Sequence, residues 1–243
     1  MAHGGTLVTV SGTGWVVEFE LAAGRLRCPG CSAALAPWGY ARRREVQRAG
    51  GGWLLRPRRA RCPGCRSTHV LLPVLCLLRR MYSAEVILSA LIAKVVSGAG
   101  WRRVAAEVGV PGATVRGWLR RFAARARVVR VFFIRAGVAT GIDVAPPGPT
   151  GSAVGDALAG LGMLVAAVRQ RFGGVVAGVP VPGGPVAWQV ASAASGGRLL
   201  SPGWPGRHAR GGRPTRPAPD GAGGWTGILR RACLEQIASG PGG

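Results

Sequence analysis

The sequence predicts an α+β fold: N-terminal β-hairpins with a zinc ribbon, a three-helix, homeodomain-like helix-turn-helix unit, and a mostly helical, partly disordered C-terminal region. Two observations carry this prediction. The motif CPGC occurs twice, beginning at Cys28 and at Cys62, and residues 101–122 have the apolar spacing of two short helices joined by a glycine. The predicted units are an N-terminal β-hairpin (1–27), a four-cysteine zinc ribbon (28–72), a helix-turn-helix domain (79–128), a linker (136–151), a small helical region (152–202), a disordered basic linker (203–224) and a C-terminal helix and tail (225–243).

The charge of the chain is strongly positive. Lys and Arg together number 32 against 9 Asp and Glu, which gives a net charge of +23 at pH 7, and Lys94 is the only lysine. Such a field attracts polyanions and makes their binding dependent on salt. A GC-rich genome favours arginine over lysine, but coding bias does not remove carboxylates. We therefore expect double-stranded DNA as the partner, in preference to coding bias alone or an acidic membrane surface.

No secretory or membrane-spanning segment is expected. The first residues lack a basic start followed by a long apolar core. The apolar stretch 84–100 contains Glu85 and Lys94, and the uncharged run 172–197 is interrupted by prolines and glycines. We expect a cytoplasmic, nucleoid-associated protein in a reducing compartment, where paired cysteines more often bind metal than form disulfides.

The first unit is predicted to be a β-hairpin. Residues 6–10 and 15–21 are rich in β-branched side chains and are separated by SGTG. Glu18 and Glu20 alternate with Val17 and Phe19, as expected for a strand with one wet face and one buried face.

The two CPGC motifs predict one structural Zn²⁺. Each tight turn directs two thiolates to one point, and two such turns complete a tetrahedral site from Cys28, Cys31, Cys62 and Cys65. Strand candidates at 40–48 and 53–61, joined by 49–52, would hang from this site as the hairpin of a zinc ribbon. Two disulfides or four unrelated thiols are the alternatives. Four protein thiolates leave no open position on the metal, so catalysis is not expected there.

The remaining histidines and cysteines are not expected to be ligands. His69 follows Cys65 by four residues and could replace a thiolate, but with four cysteines placed we interpret it as a surface or packing residue. Cys76 and Cys233 are interpreted as buried free thiols.

The predicted ribbon hairpin is rich in arginine and aromatic residues, including Trp38, Tyr40 and Trp53. Arginine beside aromatic rings suits phosphate and groove contacts. The alternative is a solvated face whose aromatics cover a small core. The arginines predicted to contact DNA here are Arg42, Arg43, Arg44, Arg58 and Arg59.

Residues 101–122 predict a helix-turn-helix. Val104, Val108, Val115 and Trp118 fall at inward helical positions, and Gly109 lies where the first helix should end with positive φ. A plain helical hairpin is the alternative. A preceding helix is expected to begin after Ser83 as N-cap. The candidates for contact with the major groove are Arg102, Arg103, Thr114, Arg116, Gly117, Arg120 and Arg121.

The recognition helix is predicted to start at 112–114 and to continue to Arg130. Its entry end is Pro111, Gly112 and Ala113, which offer backbone N–H groups to phosphate but little base-edge chemistry. Arg116 and Arg120 are therefore the main candidates for reading bases, with guanine as the expected partner.

After residue 135 the composition changes and function is not readable. Apolar spacing predicts a helix at 152–172 and a second short helix at 186–194, and a last helix is expected at 225–238. The basic stretch 203–224 is rich in glycine and proline and is predicted to be disordered.

The run from the first RCPGC through the second, HVLLP, AEVILSALIAK and WRRVAAEVGVPGATVRGWLRRF resembles an uncharacterised zinc-ribbon/helix-turn-helix family of high-GC, actinobacteria-like genomes. That family is similar to the N-terminal, DNA-recognising half of insertion-sequence transposases. The resemblance covers roughly residues 7–131. It implies zinc at the four cysteines and DNA at the recognition helix, but it does not by itself imply transposition.

The sequence favours a binding protein over an enzyme. Transposases of this type hold two divalent metals with three carboxylates, whereas the carboxylates after residue 122 are only Asp143, Asp156, Asp220 and Glu235. We predict a non-catalytic DNA-binding protein, a transcriptional regulator or a mobile-element-derived factor, able to act as a homodimer and without a small-molecule substrate. The alternative is a transposase that is truncated or depends on a partner.

Overall fold

The structure is a computed structural model that describes residues 6–10, 14–172, 175–176, 179–180 and 186–205. The predicted mixture of helices and strands is confirmed, with small sheets in the N-terminal part and helices after them. The elements are β1 (Thr6–Val10), α1 (Trp15–Ala22), β2 (Ala36–Tyr40), β3 (Arg44–Arg48), β4 (Gly51–Leu55), β5 (Arg58–Arg61), β6 (Thr68–Pro73), α2 (Ala84–Ser97), α3 (Trp101–Val108), α4 (Gly112–Ala123), α5 (Ala126–Val138), α6 (Ala153–Phe172), β7 (Val175–Val176), β8 (Val179–Pro180) and α7 (Ala187–Ser195).

The main sheet has four strands in the order β1-β6-β5-β2, with β1 parallel to β6 and the other pairs antiparallel. The strand candidates 40–48 and 53–61 are each divided in two. The ends next to the connecting turn pair with each other as β3 and β4. The ends remote from the turn contribute to β2 and β5 of the main sheet. Pro57 lies at the break between β4 and β5, where it has no N–H to donate to a ladder.

The predicted N-terminal β-hairpin is wrong, because residues 15–22 form α1 instead of a second strand. One edge of β1 is occupied by β6, so the chain leaves β1 and crosses to β2 at the opposite edge of the sheet. A helix makes this crossing, and Val17 and Leu21, four residues apart, bury on its inner side. The alternating carboxylates misled the prediction. Glu20 is buried with its carboxylate 2.8 Å from the Arg25 guanidinium, while Glu18 lies at the surface side of the helix.

Backbone hydrogen bonds attach the β3–β4 hairpin to the start of α2. Gln47 donates its N–H to the Met81 carbonyl (2.6 Å) and accepts from the Ser83 N–H (2.9 Å). Ser83 is the N-cap of α2, as predicted, and its hydroxyl accepts from the Val86 N–H at 3.3 Å. The β3–β4 hairpin is therefore bonded directly to the segment that begins α2, and Leu78, after β6, also donates its N–H to the Gly197 carbonyl beyond α7.

Helices α2, α3 and α4 follow one another closely. Gly98 ends α2 and Gly109 ends α3, both in the left-handed conformation that glycine adopts without strain. Only residues 109–111 separate α3 from α4. Val104, Val115 and Trp118 are buried, and the Trp118 ring meets Tyr82 edge-on at 5.1 Å.

The helix that begins at Gly112 ends earlier than predicted. It stops at Ala123, and α5 begins at Ala126 after a short turn in which Arg125 has non-helical backbone angles. The linker predicted from residue 136 also begins too early, because Ala136 and Gly137 are buried inside α5. Helices α5 and α6 approach each other closely at Gly160 of α6. A Cβ at this position would lie only 3.3 Å from the carbonyl oxygen of Arg130 in α5.

A single apolar core runs through all the helices from α2 to α7. It includes Leu91 of α2, Phe122 of α4, Phe133 of α5, Leu164 of α6 and Val190 of α7. The helices predicted at 152–172 and 186–194 are thus confirmed, but they complete the same core as α2–α4 rather than forming a region of their own. By length and composition alone α6 could cross a membrane, although half of that window is buried against protein. The disordered stretch predicted at 203–224 extends, after residue 205, beyond the described residues, and the helix predicted at 225–238 lies wholly outside them.

Replacing Phe133 with alanine is expected to lower the free energy of unfolding by about 3–5 kcal/mol, because the ring is fully buried where α5 meets Trp204 and its removal leaves a cavity. Chemical denaturation measures this loss. Val131→Ala on the same helix is the control: its side chain is 47 % exposed, so the change should stay within about 0.5 kcal/mol. Equal losses in both variants would contradict the assignment of the core.

Candidate metal centre and arginine surface

The four cysteines of the CPGC motifs come together in one cluster. The sulfur atoms of Cys28, Cys31, Cys62 and Cys65 all lie within 4.8 Å of one another. The Sγ–Sγ distance is 3.5 Å from Cys28 to Cys65 and 3.3 Å from Cys31 to Cys62. A tetrahedral ion with metal–sulfur bonds of about 2.3 Å needs sulfurs about 3.8 Å apart. The cluster can therefore hold a metal ion with small adjustments of the side chains.

The two turns that carry the cysteines have the same backbone structure. The Cys28 N–H donates to the Ala33 carbonyl and the Cys62 N–H donates to the Ser67 carbonyl, at 2.8 and 2.9 Å. Each motif is followed by a residue with left-handed φ, 60° at Ser32 and 59° at Arg66. Identical sequences thus fold into matching turns, which is why both direct two sulfurs to a common point.

Backbone amides also point at the sulfurs. The Gly30 N–H donates to Cys28 Sγ at 3.4 Å, and the Cys65 N–H donates to Cys62 Sγ at 3.5 Å. Such donors stabilise the negative charge of a thiolate. Cys28 and Cys62 are buried, whereas Cys31 and Cys65 are exposed. One side of the cluster is therefore part of the protein core and the other side faces solvent.

The two exposed thiols differ in acidity in the metal-free protein. Hydrogen bonds from the Ser67 side chain and backbone lower the pKa of Cys65 to about 6. A backbone hydrogen bond at Ala33 acts to lower the pKa of Cys31, but the contact with Cys62 and partial desolvation raise it to about 11. At neutral pH Cys65 is a thiolate, while Cys31 must lose a proton before it can bind a metal.

His69 is the neighbour of the cluster that sequence reasoning underestimated. It lies in β6, is only 1 % exposed, and its Nε2 is 3.5 Å from Cys28 Sγ. The prediction of a surface position for His69 is wrong, and the alternative of a packing residue is confirmed by its burial. The ring also contacts Cys28, one of the candidate metal ligands. In the sheet, His69 of β6 lies opposite Ala60 of β5, and Ala60 precedes Cys62 by two residues. This pairing places the His69 ring beside the cysteine cluster. No local sequence signal shows this pairing.

The arginines predicted on the α3–α4 pair all lie at the surface. Their side chains are exposed while the apolar positions between them are buried. The Arg116 guanidinium lies 6.0 Å from the centroid of the Trp101 ring. Thr114 and Gly117 are half-buried. The exposed set, called here the α3–α4 arginine surface, is Arg102, Arg103, Arg116, Arg120 and Arg121.

The arginines predicted on the ribbon hairpin have mixed environments. Arg42 and Arg43 are exposed in the segment between β2 and β3, and Arg59 is half-buried in β5. Arg44 is half-buried beside Cys76, where it acts against the rise in the thiol pKa that burial causes. Arg58 pairs with the Glu18 carboxylate at 2.8 Å and donates to the Gly39 carbonyl. Arg44 and Arg58 thus make structural contacts and are not free surface charges.

The carboxylates after α4 do not form a metal site within the described residues. Among all the described residues, the four cysteines are the one group of three or more potential metal ligands that comes together. Asp156 instead accepts hydrogen bonds from Thr150 and lies 4.0 Å from Arg130, and the Thr150 hydrogen bonds lower its pKa. Asp220 and Glu235 lie outside the described residues.

Comparisons with known proteins give one match. A family model described as a domain of unknown function (DUF6431) matches residues 28–118, which is less than half of the chain. The match begins at the first cysteine of the cluster and ends within α4. No curated protein and no solved structure matches the chain.

Purified protein is expected to bind one metal ion per chain, and Cys62→Ser should lose it because the sulfur is both a ligand and part of the core. Native mass spectrometry counts the bound ion. Cys76→Ala is the control, since that buried thiol lies outside the cluster. A folded wild-type protein that contains no metal and whose stability is indifferent to a chelator would overturn the assignment.

Metal affinity is expected to rise with pH. Because the pKa of Cys31 is raised to about 11, binding at pH 7–9 must displace its proton, whereas Cys65 with a pKa of about 6 already offers a thiolate. Each proton released makes the apparent affinity about tenfold higher per pH unit. Competition with a chelating dye across this range measures the slope, and an affinity that does not change with pH would contradict the expectation.

Proposed function

We propose that this protein is a non-catalytic, zinc-dependent DNA-binding protein, a transcriptional regulator or mobile-element-derived factor. The observation that carries the proposal is the α3–α4 arginine surface. Five exposed guanidinium groups lie on two adjoining helices, of which α4 carries no acidic residue. The opposite faces of both helices are held in the core.

The arrangement of α3 and α4 suits a helix-turn-helix. A three-residue turn with left-handed Gly109 joins them, and α2 packs behind both. In proteins of that class the second helix enters the major groove and its exposed side chains reach base edges. Arg116 and Arg120 are four residues apart on α4, so they share one face of the helix. Arginine in this position reads guanine through two parallel hydrogen bonds.

Zinc is the metal that fits the cluster best. Four thiolates in a tetrahedral arrangement select Zn²⁺ among common cellular divalent ions, and four protein ligands leave no position for a substrate. The ion would thus have a structural role. It would hold β2 and β5 together. The exposed Arg42 and Arg43 follow β2 in the chain, and there they can contact DNA phosphates, which increases affinity for any DNA sequence.

The direct test is binding of full-length, metal-loaded protein to duplex DNA across salt concentrations, followed by selection of preferred sites. Affinity should fall linearly on a logarithmic scale as salt rises, because neutralised phosphates release counterions. Negligible affinity at low salt for a folded, metal-loaded sample would refute the proposal. A palindromic selected site would in addition report a dimer.

Arg116→Gln and Arg120→Gln should relax the choice of sequence, each costing about 1–3 kcal/mol at its preferred base pair if the contact is bidentate. Competition between the selected site and its single-base variants measures this. Arg127→Gln is the matched control, since it removes an equal exposed charge from α5. Equal relaxation by the control would show that charge alone, and not α4, sets the preference.

Arg42→Gln and Arg43→Gln should weaken binding to all duplexes alike and reduce the salt slope by about one for each phosphate that is no longer neutralised. Arg58→Gln should lower stability instead, because that guanidinium pairs with Glu18 and the Gly39 carbonyl. Titrations at several salt concentrations and a denaturation curve separate the two effects. An altered base preference in the Arg42 or Arg43 variant would contradict the assigned role.

A further inference from the structure

A cleft of about 300 Å³ lies between α1 and the sheet, away from α4 and from the cysteine cluster. This volume is at the small end of the range for ligand pockets, which extends to about 1,000 Å³. It is lined on one side by Trp15, Val17 and Glu18 of α1 and on the other by Tyr40 and the residues between β4 and β5. Space of this size suits a single flat ring with its attached sugar.

Two aromatic side chains at the cleft are largely exposed to solvent. The Trp15 side chain is 73 % exposed and Tyr40 is 48 % exposed. The Arg56 and Arg58 guanidinium groups lie 4.8 and 4.5 Å from the centroid of the Tyr40 ring. Aromatic faces beside arginines are the usual surface for stacking unpaired bases and neutralising their phosphates.

The polar group in the cleft is the Glu18 carboxylate, and its orientation is fixed. One oxygen, Oε1, accepts from the Tyr40 hydroxyl at 3.2 Å and lies 2.8 Å from Arg58 Nε in an ion pair. In the described part of the chain no donor reaches the other oxygen, Oε2. The cleft therefore presents a carboxylate whose second oxygen is open to an N–H donor of a ligand.

We propose that this cleft binds one unpaired nucleobase of a single strand, with guanine preferred. The base stacks on the exposed Trp15 ring, Tyr40 with its two arginines forms the facing wall, and Arg56 contacts the adjoining phosphate. Guanine presents two neighbouring N–H donors, N1–H and the N2 amino group, on its pairing edge, which match a carboxylate acceptor. The site uses none of the α3–α4 arginine surface and goes beyond the duplex binding proposed above.

The test measures binding of full-length, metal-loaded protein to labelled ten-residue oligothymidine carrying one central deoxyguanosine or deoxyadenosine, by fluorescence anisotropy at fixed salt. The deoxyguanosine strand should bind more tightly. Trp15→Ala should weaken it by about 5- to 150-fold, which corresponds to the stacking of one base. Glu18→Gln should abolish the preference for guanine. Equal binding of both strands, or no effect of Trp15→Ala, would overturn the proposal.

Trp38→Ala is the matched control, because that ring is 49 % exposed and stacks on Arg61 in the neighbouring strand but does not line the cleft. It should leave the guanine preference unchanged, and an equal loss would refute the cleft as the site. Anionic lipid vesicles form a further arm: Trp15-dependent binding to vesicles without binding to the oligonucleotides would also refute it. Failure here is distinguishable from failure of duplex binding, since Trp15→Ala should not affect duplexes and Arg116→Gln should not affect the single strand.

Discussion

The contact among four sulfur atoms is the constraint on which the N-terminal half depends. Cys28 and Cys62 are buried members of the same apolar cluster as Leu26, Leu35 and Leu71. The site is thus a part of the core and not an attachment to it. A sheet of this size buries little apolar surface, so an ion held by the four sulfurs would add its binding free energy directly to the stability of the fold. Separately, the hydrogen bonds of Gln47 attach the β3–β4 hairpin to the start of α2.

The arginines of this chain serve three distinct physical roles that composition does not separate. Some are exposed on α3 and α4, and some lie over aromatic rings, as Arg61 does over Trp38. Others tie distant segments together: Arg80, Arg125 and Arg130 donate to the carbonyls of Leu200, Pro205 and Pro147. Burial lowers the pKa of Arg80. The net charge of +23 therefore overstates the charge that is available to a polyanion.

Features set by local chemistry could be predicted from the sequence. The two cysteine turns, the Ser83 cap, the left-handed Gly109 and the helix at 152–172 each follow from a few neighbouring residues, and the identity of the two turns predicts that their four sulfurs meet. The failures involve distant partners. The alternation of Glu18 and Glu20 predicts a strand where α1 forms, because it does not reveal that β6, far along the chain, is the strand that pairs with β1. The sheet order, the place of His69 and the cleft at Trp15 likewise depend on residues far apart in the chain.

The stretch that matches a family and the unit that folds do not coincide. The match ends at residue 118, inside α4, before Phe122 and all of α5, α6 and α7. Those later elements supply the apolar side chains that cover the back of α2 and α4. A fragment cut at the limits of the match would expose that face to water and would tend to aggregate. In this chain the matched stretch therefore relies on residues outside it to cover its apolar face.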